Sequence, residues 1–176
     1  MTMPRSDLDL SGGASEPVPS VSAIEAGFLP RLAAWLATAT PSERADAARA
    51  MARVYVLSDL DIEVEEGLEA AMTVLLDDPA PEVRLALADA LAIEETAPRH
   101  IIHALAADLP EIAALVLTCS PLFIDAELVD IVAAAETALQ VAVARRAPLS
   151  QAVAAAIAEV GEPEAAVALL DNRDAA

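Results

Sequence analysis

The stretch that decides the fold is "DDPAPEVRLALADALA", residues 77–92. Two prolines make a turn, and after them Val83, Leu87 and Leu91 recur at helical spacing. Proline is tolerated in the first turn of a helix, and this spacing places the three aliphatic side chains on one face. The stretch therefore predicts a helix that begins near Pro81 and buries one stripe of side chains.

The same pattern returns three more times along the chain. Segments that begin at Pro110, Thr137 and Pro163 each open with a proline or a capping residue, and the four starts lie 29, 27 and 26 residues apart. Between them run three further periodic segments, with aliphatic stripes at 101/105, 128/132 and 153/157. A helix A followed by a helix B, repeated, is the signature of an α-solenoid, in which each unit buries its face only against its neighbours.

The residues before this array differ from it. Residues 1–20 are rich in Ser, Gly and Pro without periodicity and predict a flexible tail ahead of one domain over residues 21–176. The stretch "TPSE", Thr40 to Glu43, predicts a capped helix that runs to about Val56. We therefore expect an all-α protein, an α-solenoid of about four short hairpins with an N-terminal helical cap.

The pair of Asp78 and Arg84, six residues apart, resembles the loop aspartate and the arginine of HEAT repeats. The wider pieces "LLDDPAPEVRLALADALA", "APRHIIHALAADLPEIAALVLTCSPLFIDAELVDIV" and "VAVARRAPLSQAVAAAIAEVGEPEAAVALLDN" are similar to the bacterial HEAT-like family catalogued as domain of unknown function 2336, over residues 75–172. The resemblance implies a HEAT-like fold and carries no activity.

Arg84 is expected to have a structural role and to bond Asp78 or the carbonyl groups of the preceding turn. In the later copies its position is taken by uncharged residues: Ala113, Gln140 and Ala166. The stacked Asp–Arg pairs typical of HEAT repeats are therefore predicted for the first copy only.

The charge balance excludes two kinds of partner. The formal net charge is −19, and all ten cations are arginines. Nucleic acid and anionic membranes both require clustered cations, so we expect neither as a partner, and a HEAT-type DNA-repair glycosylase is disfavoured. The absence of a signal-like segment, the lack of a bilayer-length apolar run and the single cysteine predict a cytoplasmic protein.

No arrangement of residues in the sequence specifies a reaction. Without lysine there is neither a phosphate-binding loop nor a Schiff base, and no nucleophile motif occurs. His100 and His103 lack further ligands at diagnostic spacing, and the acidic run over residues 59–66 does not fit a calcium loop. We therefore expect no enzymatic activity, no catalytic residue, no metal and no cofactor.

One group of residues is the candidate for binding a partner. Arg44, Arg49 and Arg53 form the densest basic cluster, and Tyr55 is close to them in sequence. We expect them to hold an acidic segment of a protein partner, whose identity the sequence does not give. The alternative is pairing within the helix, with Glu43 or Asp46.

The C-terminal copy is the candidate for self-association, because no helix B follows it and its apolar face lacks a neighbour. Either the natural chain continues or this end packs on a second molecule, most simply as a two-fold homodimer. The residues expected in that contact are Val153, Ile157, Val167, Leu169 and Leu170.

The function predicted from these features is a non-catalytic protein–protein interaction or scaffold module of HEAT-like repeats. The alternative is an enzyme-associated HEAT-like domain, similar to bilin-lyase subunits, that holds a small apolar ligand in its groove. A pocket lined by aromatic side chains would favour the alternative, and an aromatic content of 2% disfavours it.

Overall fold

The computed structural model describes the backbone of residues 21–175 and the side chains of residues 29–175, so the tail predicted over residues 1–20 lies outside the described residues. The described residues form an all-α structure, as the sequence predicts. Its ten helices are α1 (Val21–Leu36), α2 (Pro41–Leu57), α3 (Ile62–Leu75), α4 (Pro81–Leu91), α5 (Arg99–Ala106), α6 (Pro110–Cys119), α7 (Asp125–Ala134), α8 (Thr137–Ala144), α9 (Gln151–Val160) and α10 (Pro163–Asp171).

The helices alternate between two layers. The A layer contains α4, α6, α8 and α10, which begin at the four predicted starts and pack each on the next. The B layer contains α5, α7 and α9, of which α7 packs on α9. The helical-repeat arrangement predicted from the spacing is therefore confirmed.

The core is a continuous layer of small and aliphatic side chains between the helices. Val83, Leu87 and Leu91 are fully buried, as their spacing predicts. Much of the remaining space is filled by alanine, including Ala48 and Ala52 of α2. Because alanine is small, the A helices can lie close together without large aromatic residues between them.

The N-terminal part holds one more repeat than the sequence indicated. Thr40 caps α2 as predicted: its hydroxyl accepts from the Glu43 amide, and the Glu43 carboxylate accepts from the Thr40 amide at 2.8 Å. However, α2 packs on α4 as an A helix does, and α3 packs on α2 in the position of a B helix, with α1 beyond it. The spacing of the later repeats did not reveal this one, because α2 and α3, of 17 and 14 residues, are longer than the later helices. The distance from the start of α2 to the start of α4 is therefore 40 residues.

Within residues 21–175, no helix combines the length and the apolar character that are needed to cross a membrane.

Candidate functional site

The first charged contact between repeats joins α2 to the loop before α4. The Arg44 guanidinium donates to both carboxylate oxygens of Asp78, at 2.6 and 2.9 Å, and to the carbonyl of Ala39 at 2.8 Å. Arg44 is the fourth residue of its helix and Asp78 lies in the loop between α3 and α4. We call such a contact, from the fourth residue of an A helix to the loop before the next A helix, a tie.

A second charged tie follows one repeat later. Arg84, the fourth residue of α4, donates to both carboxylate oxygens of Asp108, which lies in the loop before α6. It also donates to the backbone carbonyl of Asp78. The expected bond of Arg84 to Asp78 or to a carbonyl of the preceding turn is therefore made through the Asp78 backbone carbonyl, while the charge of each side chain is paired with the neighbouring repeat.

The four charged side chains of these ties are 5–14% exposed, so water screens them little. The Arg44 guanidinium holds the pKa of the Asp78 carboxyl below its ordinary value, mainly by hydrogen bonding. Arg84 lowers the pKa of Asp108 in the same way. Arg44, which the sequence placed in the partner-binding cluster, is therefore engaged inside the protein.

In the C-terminal repeats the tie is made without a charge pair. Gln140, the fourth residue of α8, is buried and accepts from the Glu162 amide in the loop before α10 at 2.8 Å. Its side-chain amide donates to the carbonyl of Val132 at 2.9 Å. This role of Gln140 was not predicted from the sequence: the residue was identified at the position of Arg84, but an uncharged side chain there excludes an Asp–Arg pair.

Ala113 of α6 is too short to make a tie, and other side chains bind the backbone in this region. The buried Arg146 donates to the carbonyls of Leu117 and Ser120, where α6 ends. Asn172 donates to the carbonyls of Ala144 and Arg146, at 2.8 and 2.7 Å. These contacts satisfy carbonyl groups that the ends of α6 and α8 leave open.

The basic cluster predicted on α2 is divided between two sides of the helix. The Tyr55 hydroxyl lies 3.3 Å from a carboxylate oxygen of Glu65 and 3.4 Å from one of Glu69, both on α3. Burial and the two carboxylates raise the pKa of Tyr55 to about 12. Tyr55 therefore belongs to the α2–α3 contact, apart from Arg49 and Arg53.

Arg49 and Arg53 line a groove of about 250 Å³ between the C-terminal ends of α2 and α4. We call it the α2–α4 groove; its lining residues are Arg49, Arg53, Val56, Leu57, Asp89, Ala90, Ile93 and Glu94. Arg49 contacts Asp46 on its own helix at 3.2 Å, and Arg53 has no ion-pair partner among residues 29–175. Leu57 and Ile93 are 80% and 69% exposed beside these arginines.

The two histidines lie on the surface of α5 in separate contacts. His100 is 2.9 Å from the Thr73 hydroxyl, and His103 packs edge-on against Phe123 with ring centroids 5.0 Å apart. Arg99, the first residue of α5, contacts Glu127 of α7 at 2.9 Å. In the described part of the chain, no three His, Cys, Asp or Glu side chains are grouped to hold a metal ion.

The C-terminal end differs from the expected self-association surface. Val153 and Ile157 are fully buried, because they form the stripe by which α9 packs on its neighbours, so they cannot contact a second molecule. Leu169 is half-buried. Val167 and Leu170 are 58% and 85% exposed on α10 and remain available.

A comparison with family models finds a match to the family described as "Uncharacterised protein conserved in bacteria (DUF2336)", over residues 112–176. The predicted resemblance to domain of unknown function 2336 is thereby confirmed over residues 112–176. No curated protein and no solved structure matches the chain. The matched part contains the Gln140 tie but neither the charged ties nor the α2–α4 groove.

Proposed function

We propose that this chain, whose residues 112–176 match a bacterial family of uncharacterised proteins, is a non-catalytic protein–protein interaction module of HEAT-like repeats. Its α2–α4 groove receives a segment of a protein partner. The observation that carries the proposal is the juxtaposition of Arg53 with the exposed side chains of Leu57 and Ile93.

The apolar part of the groove supplies binding free energy. Leu57 and Ile93 are exposed to solvent in the described structure. Burying an aliphatic side chain of this size against a partner contributes about 1.5–3 kcal/mol of binding free energy. Much of that gain offsets the lost freedom of the partner, so the charged groups around the two side chains decide the specificity.

The charged part of the groove defines the chemistry of the partner. Arg49 and Arg53 form the α2 wall, whereas Asp89 and Glu94 stand on the α4 side. An arginine offers five donors in a planar fork that matches a carboxylate, and arginine is enriched in protein interfaces. The groove therefore fits an amphipathic segment with an aliphatic centre, a carboxylate on the α2 flank and a cation on the α4 flank.

Site-specific crosslinking tests this function. A photoreactive amino acid replaces Leu57 or Ile93 in the chain expressed in its native cells, and Ile124, which is equally aliphatic and 57% exposed outside the groove, serves as the matched control position. We expect a discrete protein adduct from the two groove positions and none from the control. Arg53→Glu should reduce the adduct about tenfold, which corresponds to about 1.4 kcal/mol of binding free energy.

Three outcomes contradict the proposal. Adducts from all three positions alike would show unspecific contact, and adducts that Arg53→Glu does not change would remove the arginine from recognition. An adduct with a molecule of small mass would favour the ligand-holding domain instead. Because Arg53 is exposed, its substitution should leave the thermal unfolding temperature unchanged, and this is measured alongside.

A further inference from the structure

The α2–α4 groove carries two exposed aliphatic side chains and an exposed charge of each sign. Leu57 and Ile93 are the aliphatic pair, and Arg53 and Asp89, which line opposite walls, are exposed as well. Neither Arg53 nor Asp89 has an ion-pair partner among residues 29–175. An occupant that satisfies all four groups needs aliphatic side chains next to charges of both signs.

The chain carries a segment of this composition ahead of the described residues. Residues 5–10 read "RSDLDL", an arginine followed by two leucines that alternate with two aspartates. Arg5 is the only cation in residues 1–20, and Leu8 and Leu10 are the only leucines there. In an extended chain alternate side chains point to opposite sides, so the two leucines share one side and the three charges share the other. Such a segment can place both leucines in a groove and keep its charges at the exposed edges.

We propose that residues 5–10 bind in the α2–α4 groove of their own chain and thereby compete with the partner segment. The two leucines lie over Leu57 and Ile93. The two aspartates face the arginines of the α2 wall, and Arg5 faces the carboxylates of the α4 side. This contact rests on the proposed function, because it uses the same groove as a site for a peptide segment.

The connection between the segment and the helices is long enough for this contact. Residues 11–20 join the segment to α1, and a stretch of that length spans up to about 33 Å when it is extended. Only residues 37–40 connect α1 to α2, so the chain turns back there and α1 begins toward the end of α2 that lines the groove. Because α1 has 16 residues and is about 24 Å long, the connection exceeds even the full length of that helix.

The connection also makes a weak contact sufficient. Two groups joined by a short stretch of chain have an effective concentration on the order of 1 mM. A segment with a Kd of about 1 mM therefore fills the groove about half of the time, and one with a Kd of about 0.1 mM fills it about nine-tenths of the time. Because a partner binds only chains whose groove is open, its apparent affinity falls by about twofold to tenfold.

Crosslinking within the purified 176-residue chain tests the contact without any partner. A photoreactive leucine analogue replaces Leu57 or Ile93, and peptide mass mapping identifies the residues to which it attaches. We expect attachment to residues 5–10 in a species of single-chain mass, and none from Ile124, the control position outside the groove. The absence of this attachment overturns the proposal, and so does attachment in a species of twice the mass.

Charge exchange tests the pairing of the aspartates with the α2 wall. Arg53→Glu should reduce attachment to residues 5–10 about tenfold, and so should Asp7→Arg combined with Asp9→Arg, because each change places like charges together. The chain with all three substitutions restores opposite charges and should return to within about threefold of the parent. Glu16→Arg, at a carboxylate outside the segment, is the control and should leave the attachment unchanged. A triple variant as weak as its components, or a control as disruptive as they are, contradicts the pairing.

A change of the two leucines separates this inference from the proposed function. Leu8→Ser with Leu10→Ser should abolish the internal attachment and raise the yield of the partner adduct in native cells about twofold or more, whereas Val18→Ser should change neither. An unchanged yield of the partner adduct would show that the segment does not compete. Partner adducts without internal attachment would overturn this inference alone, and internal attachment without a partner adduct would overturn the proposed function alone.

Discussion

The N-terminal repeats, from α2 to α6, and the C-terminal repeats, from α6 to α10, connect the same kind of helix in different ways. In the first region an arginine on α2 and one on α4 each bind an aspartate in the next loop, in the pairs Arg44–Asp78 and Arg84–Asp108. In the second region Gln140 makes the equivalent contact through its amide, and Arg146 and Asn172 bind backbone carbonyls. The family match begins at residue 112, close to where one scheme gives way to the other.

The difference shows how the fourth residue of an A helix can bind the next loop. Each loop brings polar backbone groups near the core, and buried polar groups need partners. A guanidinium supplies donors and therefore needs a carboxylate beside it, whereas a glutamine amide supplies one donor group and one acceptor and needs no counter-charge. Where a tie is made, the side chain reaches the next loop with a hydrogen bond, and the charge is one way of making it; α6, with Ala113 at this position, stacks on α8 without a tie.

The largest effect is expected from the core, and it should be alike in both regions. Leu87→Ala in α4 and Leu128→Ala in α7 each remove a buried leucine side chain, and each should lower the free energy of unfolding by about 2–5 kcal/mol. Urea unfolding of the two variants measures this. If Leu128→Ala costs less than about 1 kcal/mol, the C-terminal repeats are loosely packed, and the two regions differ in more than their ties.

The next effect separates the regions. Asp108→Asn leaves the Arg84 guanidinium in a site that is 14% exposed, facing a neutral amide. Removing one partner of a buried ion pair costs about 3–5 kcal/mol, and partial exposure reduces this, so we expect about 2–4 kcal/mol in chemical unfolding. Asp46→Asn, which breaks the exposed pair with Arg49, is the matched control and should cost at most about 1 kcal/mol.

Acid should weaken the N-terminal repeats through the same carboxylates. Because the folded-state pKa values of Asp78 and Asp108 lie below those of the unfolded chain, the ionised forms stabilise the fold above about pH 4. That stability is lost as the pH falls through the folded-state values. The melting temperature should therefore drop steeply below about pH 4, and the variant with both Asp78→Asn and Asp108→Asn should show a shallower drop. An equally steep drop in that variant would assign the acid sensitivity to other groups, such as Glu43 and Glu127, whose pKa values are also lowered.

The sequence predicted the helices better than the contacts between them. The starts at Pro81, Pro110, Thr137 and Pro163 follow from local rules, since a proline or a capping residue precedes an apolar period. The partners of Arg44 and Arg84 lie 34 and 24 residues away, and which loop each arginine faces depends on how the helices stack. The stacking of the helices also buries Val153 and Ile157. It brings Arg44 and Tyr55 into contacts with neighbouring elements, so neither belongs to the predicted basic cluster. Extending the comparison of fourth residues to α2 would have revealed Arg44, whereas Gln140 was identified at that position and only its hydrogen bonds were not predicted.

The smallest effect tests whether the neutral tie is a true equivalent of the charged one. Gln140→Leu keeps the size of the side chain but removes a buried bond to the Val132 carbonyl and a partly buried bond to the Glu162 amide. Each unsatisfied group costs about 1 kcal/mol in such a setting, so we expect a loss of about 1–2 kcal/mol and a melting temperature lower by about 2–8 °C. Because no ionisable group is removed, this loss should not depend on pH, whereas the loss from Asp108→Asn should shrink below about pH 4, where the Asp108 carboxylate of the parent protonates. Gln151→Leu, at an exposed glutamine in the first turn of α9, is the control and should change stability by less than about 0.5 kcal/mol. If Gln140→Leu proves as mild as this control, the C-terminal stack is held by packing and by the carbonyl contacts of Arg146 and Asn172, and the two regions do not share a common tie.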